Sequence, residues 1–128
     1  MTDAITVFRY FGGPPDDVQK FINELPSSER ARLNVKIHAL RTNGVVLLGS
    51  NLLTDTNMPH IKEIVVNGRV AVRMLVCRGP FDGKTELTLL FGAAERDRKY
   101  VPKNALKIAD DRRKLVASDP TRWRIKHE

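Results

Sequence analysis

The stretch Ile61-Lys62-Glu63-Ile64-Val65-Val66-Asn67-Gly68-Arg69-Val70-Ala71-Val72-Arg73-Met74-Leu75-Val76-Cys77 decides the fold. Two β-branched apolar runs flank Asn-Gly, the dipeptide best suited to a two-residue hairpin turn, so strands are predicted over 61–66 and 69–77. Successive side chains on a strand point to opposite faces. Val70, Val72, Met74 and Val76 therefore share one face, and Ala71, Arg73, Leu75 and Cys77 share the other. Arg73 interrupts an otherwise apolar face.

Downstream, Gly79-Pro80-Phe81-Asp82-Gly83 makes a wider turn into a strand over 85–91. There Leu87, Leu89 and Phe91 alternate with Glu86, Thr88 and Leu90, and Gly92 is expected to end the strand. A basic loop over 93–100 leads to Pro102, and a final helix over 102–117 turns Ala105, Ile108, Ala109 and Val116 inward. Upstream, Ile5-Thr6-Val7-Phe8-Arg9-Tyr10-Phe11 reads as a strand stopped by Gly12-Gly13-Pro14-Pro15. Asp16 and Asp17 then suit a helix N-terminus, and Val18, Phe21, Ile22 and Leu25 have helical spacing up to Pro26. Ser27 or Ser28 caps a second helix running to about Arg41, with Asn43-Gly44 as its exit. Residues 45–60 fit either a short helix or a partly buried loop. The expected order is β-α-α-β-β-β-α, an α+β domain over 1–118 in which an antiparallel meander packs with an N-terminal helical hairpin and a C-terminal helix. Residues 119–128 read as a polar tail anchored by Trp123.

The chain has 128 residues, enough for one core, and a formal net charge of +7. Residues 1–60 carry six basic and six acidic side chains, so the whole excess lies in 61–128. Clustered cations of this kind favour a polyanionic partner, because binding phosphates releases condensed counterions. A single cysteine, Cys77, excludes an internal disulfide and a cysteine zinc cage. No charged-then-apolar leader and no long apolar run is visible, so a soluble cytoplasmic protein without membrane contact is expected.

An arginine on an apolar strand must be solvated or paired. For Arg73 the alternatives are an ion pair with Glu63 or Glu86 on a neighbouring strand, or contact with a phosphate. Its fixed fork of donors suits the phosphate. Arg96-Asp97-Arg98-Lys99-Tyr100 joins several cations to one aromatic, a composition for gripping a phosphate while stacking a base; a solvated charge run has the same composition. Lys62 and Lys103 flank the same prospective surface. None of His38, His60 and His127 identifies itself as an acid-base group, and no residue cluster has metal-ligand spacing, so no metal or cofactor is expected. RNA cleavage needs neither, since its own 2′-hydroxyl is the nucleophile.

Met58-Pro59-His60-Ile61-Lys62-Glu63-Ile64, Val72-Arg73-Met74-Leu75-Val76, and Leu89-Leu90-Phe91-Gly92 followed by a basic loop and Pro102-Lys103-Asn104-Ala105 resemble the corresponding stretches of the RelE/ParE toxin superfamily, in particular its HigB-like, phage-associated branch. The resemblance covers about residues 5–117. Ala94, Asp97 and Val101 depart from its usual Phe, Lys and Thr. It implies the toxin of a type II toxin-antitoxin system, a metal-independent endoribonuclease cutting mRNA on the ribosome and silenced by a helix-turn-helix antitoxin. By position it implies catalytic roles for Arg73, Arg96, Lys62 and Tyr100; Arg98, Lys99, Lys103 and Arg78 are expected to contact the RNA beside them. Two other readings stay open: a ParE-like gyrase inhibitor without nuclease activity, and an inactive RNA-binding relic of the same fold.

Overall fold

The structure, a computed structural model, describes residues 2–128 and is a mixed α+β fold around one mostly antiparallel sheet. Its centre is the expected three-stranded meander, which in chain order becomes β3 (Lys62–Val66), β4 (Ala71–Arg78) and β5 (Glu86–Arg96). The alternation in β4 is as the sequence predicts. Val72, Met74 and Val76 enter one core, and Leu75 and Cys77 enter a second on the other face. The β3–β4 turn differs, for Val66 pairs with Val72 and the connection is wider than two residues. Gly68 does not take a positive φ there. It lies against Glu29, whose carboxylate oxygen a Cβ at Gly68 would meet at 2.5 Å, so this glycine permits close approach and does not form the tight turn.

The larger departure is in β5. Leu75 pairs with Phe91 and Val76 with Leu89, which leaves Leu90 as the extra residue of a β-bulge. Before the bulge Leu87 and Leu89 face the first core; after it Phe91 and Ala93 face the second, beside Leu90 itself. Phe91 is thus on the face opposite to the one simple alternation assigns. Gly92 does not end the strand. It lies in mid-strand because Phe21 packs onto it, and a Cβ there would sit 2.1 Å from the Phe21 ring.

The other elements cover this sheet. Helix α1 (Asp17–Glu24) is capped by the Asp16 carboxylate, which accepts from the Gln19 N–H at 3.2 Å, and it buries Val18 and Ile22. Helix α2 (Ser27–Leu47) runs past the expected exit, kinking at Asn43 while Gly44 packs on Ile5. Both helices close the first core. Strand β1 (Thr6–Tyr10) lies parallel to β5, the short strand β2 (Thr54–Asp55) borders β3, and β6 (Lys99–Val101) pairs with the far end of β5. Helix α3 (Ala105–Ser118) covers the second core with Ala105, Ala109 and Val116.

From the same helix Arg112 donates to the Leu90 carbonyl at 3.0 Å, pairs with Asp17 at 2.5 Å, and lies over the rings of Tyr10 and Phe91 at 4.3 and 5.2 Å. Residues 119–128 are not a tail. They form α4 (Pro120–Trp123) and β7 (Arg124–Lys126), an edge strand antiparallel to β1, giving the order β2-β3-β4-β5-β1-β7. The reason is burial: Trp123 stacks on Tyr10, while Arg124 lies 3.6 Å from the Phe8 ring centre and reaches Glu86 at 3.3 Å. Among the described residues no helix is long and apolar enough to cross a membrane.

Replacing Arg112 by leucine leaves the bulged carbonyl and Asp17 without their donor. The expected loss is about 2–4 kcal/mol of stability, read as a lower midpoint in urea with an unchanged slope.

Candidate functional site

At the end of the sheet where β5 and β6 turn, a cleft of about 260 Å³ is lined by Asp55, Glu63, Arg73, Glu95, Arg98 and Tyr100, among others. Arg73 stands between Val65 and Ala93 on the flanking strands, small neighbours that leave room for its side chain. It is held from several sides. Its guanidinium is ion-paired with Glu95, its Nε lies 3.9 Å from Glu63, and it donates to Asn67 Oδ1 at 3.3 Å and to its neighbour's carbonyl at 3.1 Å. The Tyr100 hydroxyl donates to Glu63 at 2.7 Å. Burial, then that hydrogen bond and the Glu63 charge, push the phenol well above its ordinary pKa. Its proton stays on oxygen at neutral pH.

The β5–β6 hairpin forms the cleft's outer wall. Asp97 and Arg98 at its tip have φ of 54° and 64°, the sign pattern of a type I′ turn built without glycine. On the other side of Tyr100 a groove of about 380 Å³ is lined by Arg96, Lys99, Val101, Pro102 and Lys103 together with Asp97. Among the described residues, Arg96, Arg98, Lys99 and Lys103 have no ion-pair partner, whereas Arg73 has two. The cleft is therefore a mixed, nearly balanced charge cluster rimmed by free cations. A rim of this kind attracts phosphates at long range.

The expected site residues are thus partly assembled. Arg73, Arg98 and Tyr100 share the cleft; Arg96, Lys99 and Lys103 share the neighbouring groove with Tyr100. Lys62 is not among the cleft's lining. It pairs with Asp55 at 2.5 Å, and its strand register places it opposite Val76 on the first-core face. Arg78 is at the far end of β4, donating to the Gly83 carbonyl at 2.7 Å. Glu95 was not expected here. Counting by twos from Leu87 and Leu89 assigns it to the opposite face, and only the bulge at Leu90 carries it to Arg73.

The histidines lie elsewhere. His60 has a positive φ of 68° in the turn before β3, and His38 lines a separate polar hollow between α1, α2 and the end of the chain. His127 is buried, with its backbone N–H donating to the Val7 carbonyl at 2.9 Å and its ring Nδ1 3.2 Å from Arg9. Burial, then the charges of Arg9 and Arg41, lower its pKa to about 4 against a smaller opposing effect of Asp16. Among the described residues no three His, Cys, Asp or Glu side chains are grouped to hold a metal ion. Comparison with protein-family models, curated proteins and solved structures finds no match to this chain.

Two measurements follow from these conformations. A histidine whose folded pKa lies below its unfolded value stabilises the fold above about pH 6.5, and that contribution is lost as pH falls towards 4. Unfolding midpoints should drop across this window, and drop less in His127→Gln. At the hairpin tip, Asp97→Asn combined with Arg98→Gly should raise stability by about 0.5–1 kcal/mol in thermal melts, since both residues suit positive φ.

Proposed function

We propose that this chain is a metal-independent endoribonuclease of the RelE/HigB toxin kind, cutting mRNA on the ribosome and silenced by a helix-turn-helix antitoxin. The observation that carries the reading is the β5–β6 hairpin, whose unpaired cations Arg96, Arg98 and Lys99, with Lys103 just beyond it, border the cleft holding Arg73 and Tyr100 and the groove beside it. Support also comes from the sequence motifs and from the order of the main elements, a strand, two helices, a three-stranded meander and a helix. RNA laid along the hairpin would place neighbouring phosphates against Arg96, Lys99 and Lys103, and a base against the Tyr100 ring. The scissile phosphate then faces Arg73 and Arg98. Attack by the 2′-hydroxyl gives a cyclic 2′,3′-phosphate and a free 5′-hydroxyl, with the guanidinium groups stabilising charge on the phosphorane. Lys62 has no part in this arrangement.

A second reading, RNA binding without cleavage, is favoured by the two carboxylates that already occupy Arg73. Mapping transcript 5′ ends after a short induction separates the two. New ends that disappear in Arg73→Ala and in Arg96→Ala, with circular dichroism unchanged, support the nuclease; transcripts that stay intact sink it. Lys99→Ala with Lys103→Ala should weaken binding to any RNA and lower the slope of log K against log salt by about 1–2, whichever reading holds.

A further inference from the structure

We infer that Glu95 is the general base of this cleft, the group that takes the 2′-hydroxyl proton as that oxygen bonds to phosphorus; the inference rests on the ribonuclease reading above. A base must be able to touch the proton it removes. Of the residues lining the cleft, Arg73 and Arg98 are permanent cations, and Tyr100 has its hydroxyl proton committed to Glu63. Three carboxylates are left. Asp55 stands at the rim with its side chain 87% exposed and one oxygen on Lys62. Glu63 is 14% exposed, with one oxygen accepting from Tyr100 and the other turned towards Arg73.

Glu95 differs from both. One of its oxygens is fixed by Arg73, its Oε1 accepts no hydrogen bond among the described residues, and its side chain is 28% exposed, open to the cleft. An oriented carboxylate with one free oxygen, beside a guanidinium that can bind a phosphoryl oxygen, is the pair needed for in-line attack. In the step, the O2′–H bond breaks with its proton passing to Glu95 Oε1, the O2′–P bond forms, and the P–O5′ bond breaks. The departing 5′-oxygen takes a proton from water, Glu95 later returns its own to solvent, and no oxidant or metal is consumed.

The decisive comparison is wild type against Glu95→Gln, using the full chain and a short fluorescent oligoribonucleotide, with translating ribosomes added if free RNA is not cut. Binding is read on the all-2′-O-methyl analogue, which has no nucleophile. The expected result is a single-turnover rate at least about 100-fold lower with affinity within about threefold, and loss of the acid limb of the wild-type pH–rate profile. Glu95→Asp, which keeps the charge, should cut roughly 10- to 100-fold more slowly than wild type yet retain that limb; this holds the test open if the glutamine variant does not fold. Unchanged cleavage in Glu95→Gln overturns the inference. So does faster cleavage, which would make Glu95 a plug on Arg73. A wild-type protein that binds the analogue but cuts nothing removes the ribonuclease reading itself, and is seen before any variant is made.

Discussion

The Leu90 carbonyl and the Arg112 guanidinium that donates to it hold the two halves of this molecule in register. A β-bulge leaves the backbone of its extra residue without a ladder partner, and a buried carbonyl in that state is costly. Arg112 supplies the missing donor from α3 and spends its remaining donors on Asp17 of α1, while its flat face covers Tyr10 and Phe91. One side chain thereby ties a helix on each face of the sheet to the irregular point of its longest strand. Because the bulge reverses the facing of everything beyond it, the position of Glu95 depends on a contact made five residues away.

The bulge also separates two kinds of chemistry along β5. Its first half pairs with β1, sends Leu87 and Leu89 into the first core, and holds a buried Glu86–Arg124 ion pair against Phe8. Its second half pairs with β6, and there the same face that is apolar at Leu75 and Phe91 becomes ionic at Arg73 and Glu95. Arg73 can be desolvated at the boundary because two carboxylates and an amide oxygen replace its water. Cations on the hairpin have no such compensation and stay in solvent. Binding a polyanion needs the second kind, and positioning one phosphate needs the first.

Local signals in the sequence were reliable where a single element decides the outcome. Alternation in β4 placed Arg73 on its face, and helical spacing found Val18 and Ile22. Errors arose where tertiary contacts use a residue for something its local preference does not encode. Gly68 and Gly92 resemble punctuation, yet each serves the close approach of one side chain, Glu29 and Phe21 respectively. Glu95 was hidden because Gly92 reads as a strand end that puts it in a loop, and because an inserted residue leaves no mark in a run such as Leu87-Thr88-Leu89-Leu90-Phe91. Arg124 and His127 looked like solvent-exposed tail residues; an aromatic stack and cross-strand pairing bury them.

Strand β1 sits between β5 and β7, so Thr6 waits for Glu86 and Phe8 for Lys126 before either edge is satisfied. The strands that bear the cleft, β3 to β6, are by contrast consecutive and joined by short turns. During synthesis the cleft's backbone can therefore zip together from near neighbours, while the N-terminal strand gains its first partner only once β5 is made and keeps its other edge open until β7 emerges. The nascent chain passes through a stage in which its chemistry is assembled before its frame is closed. In that interval the exposed edge of β1 is the part of the molecule most open to capture by another chain.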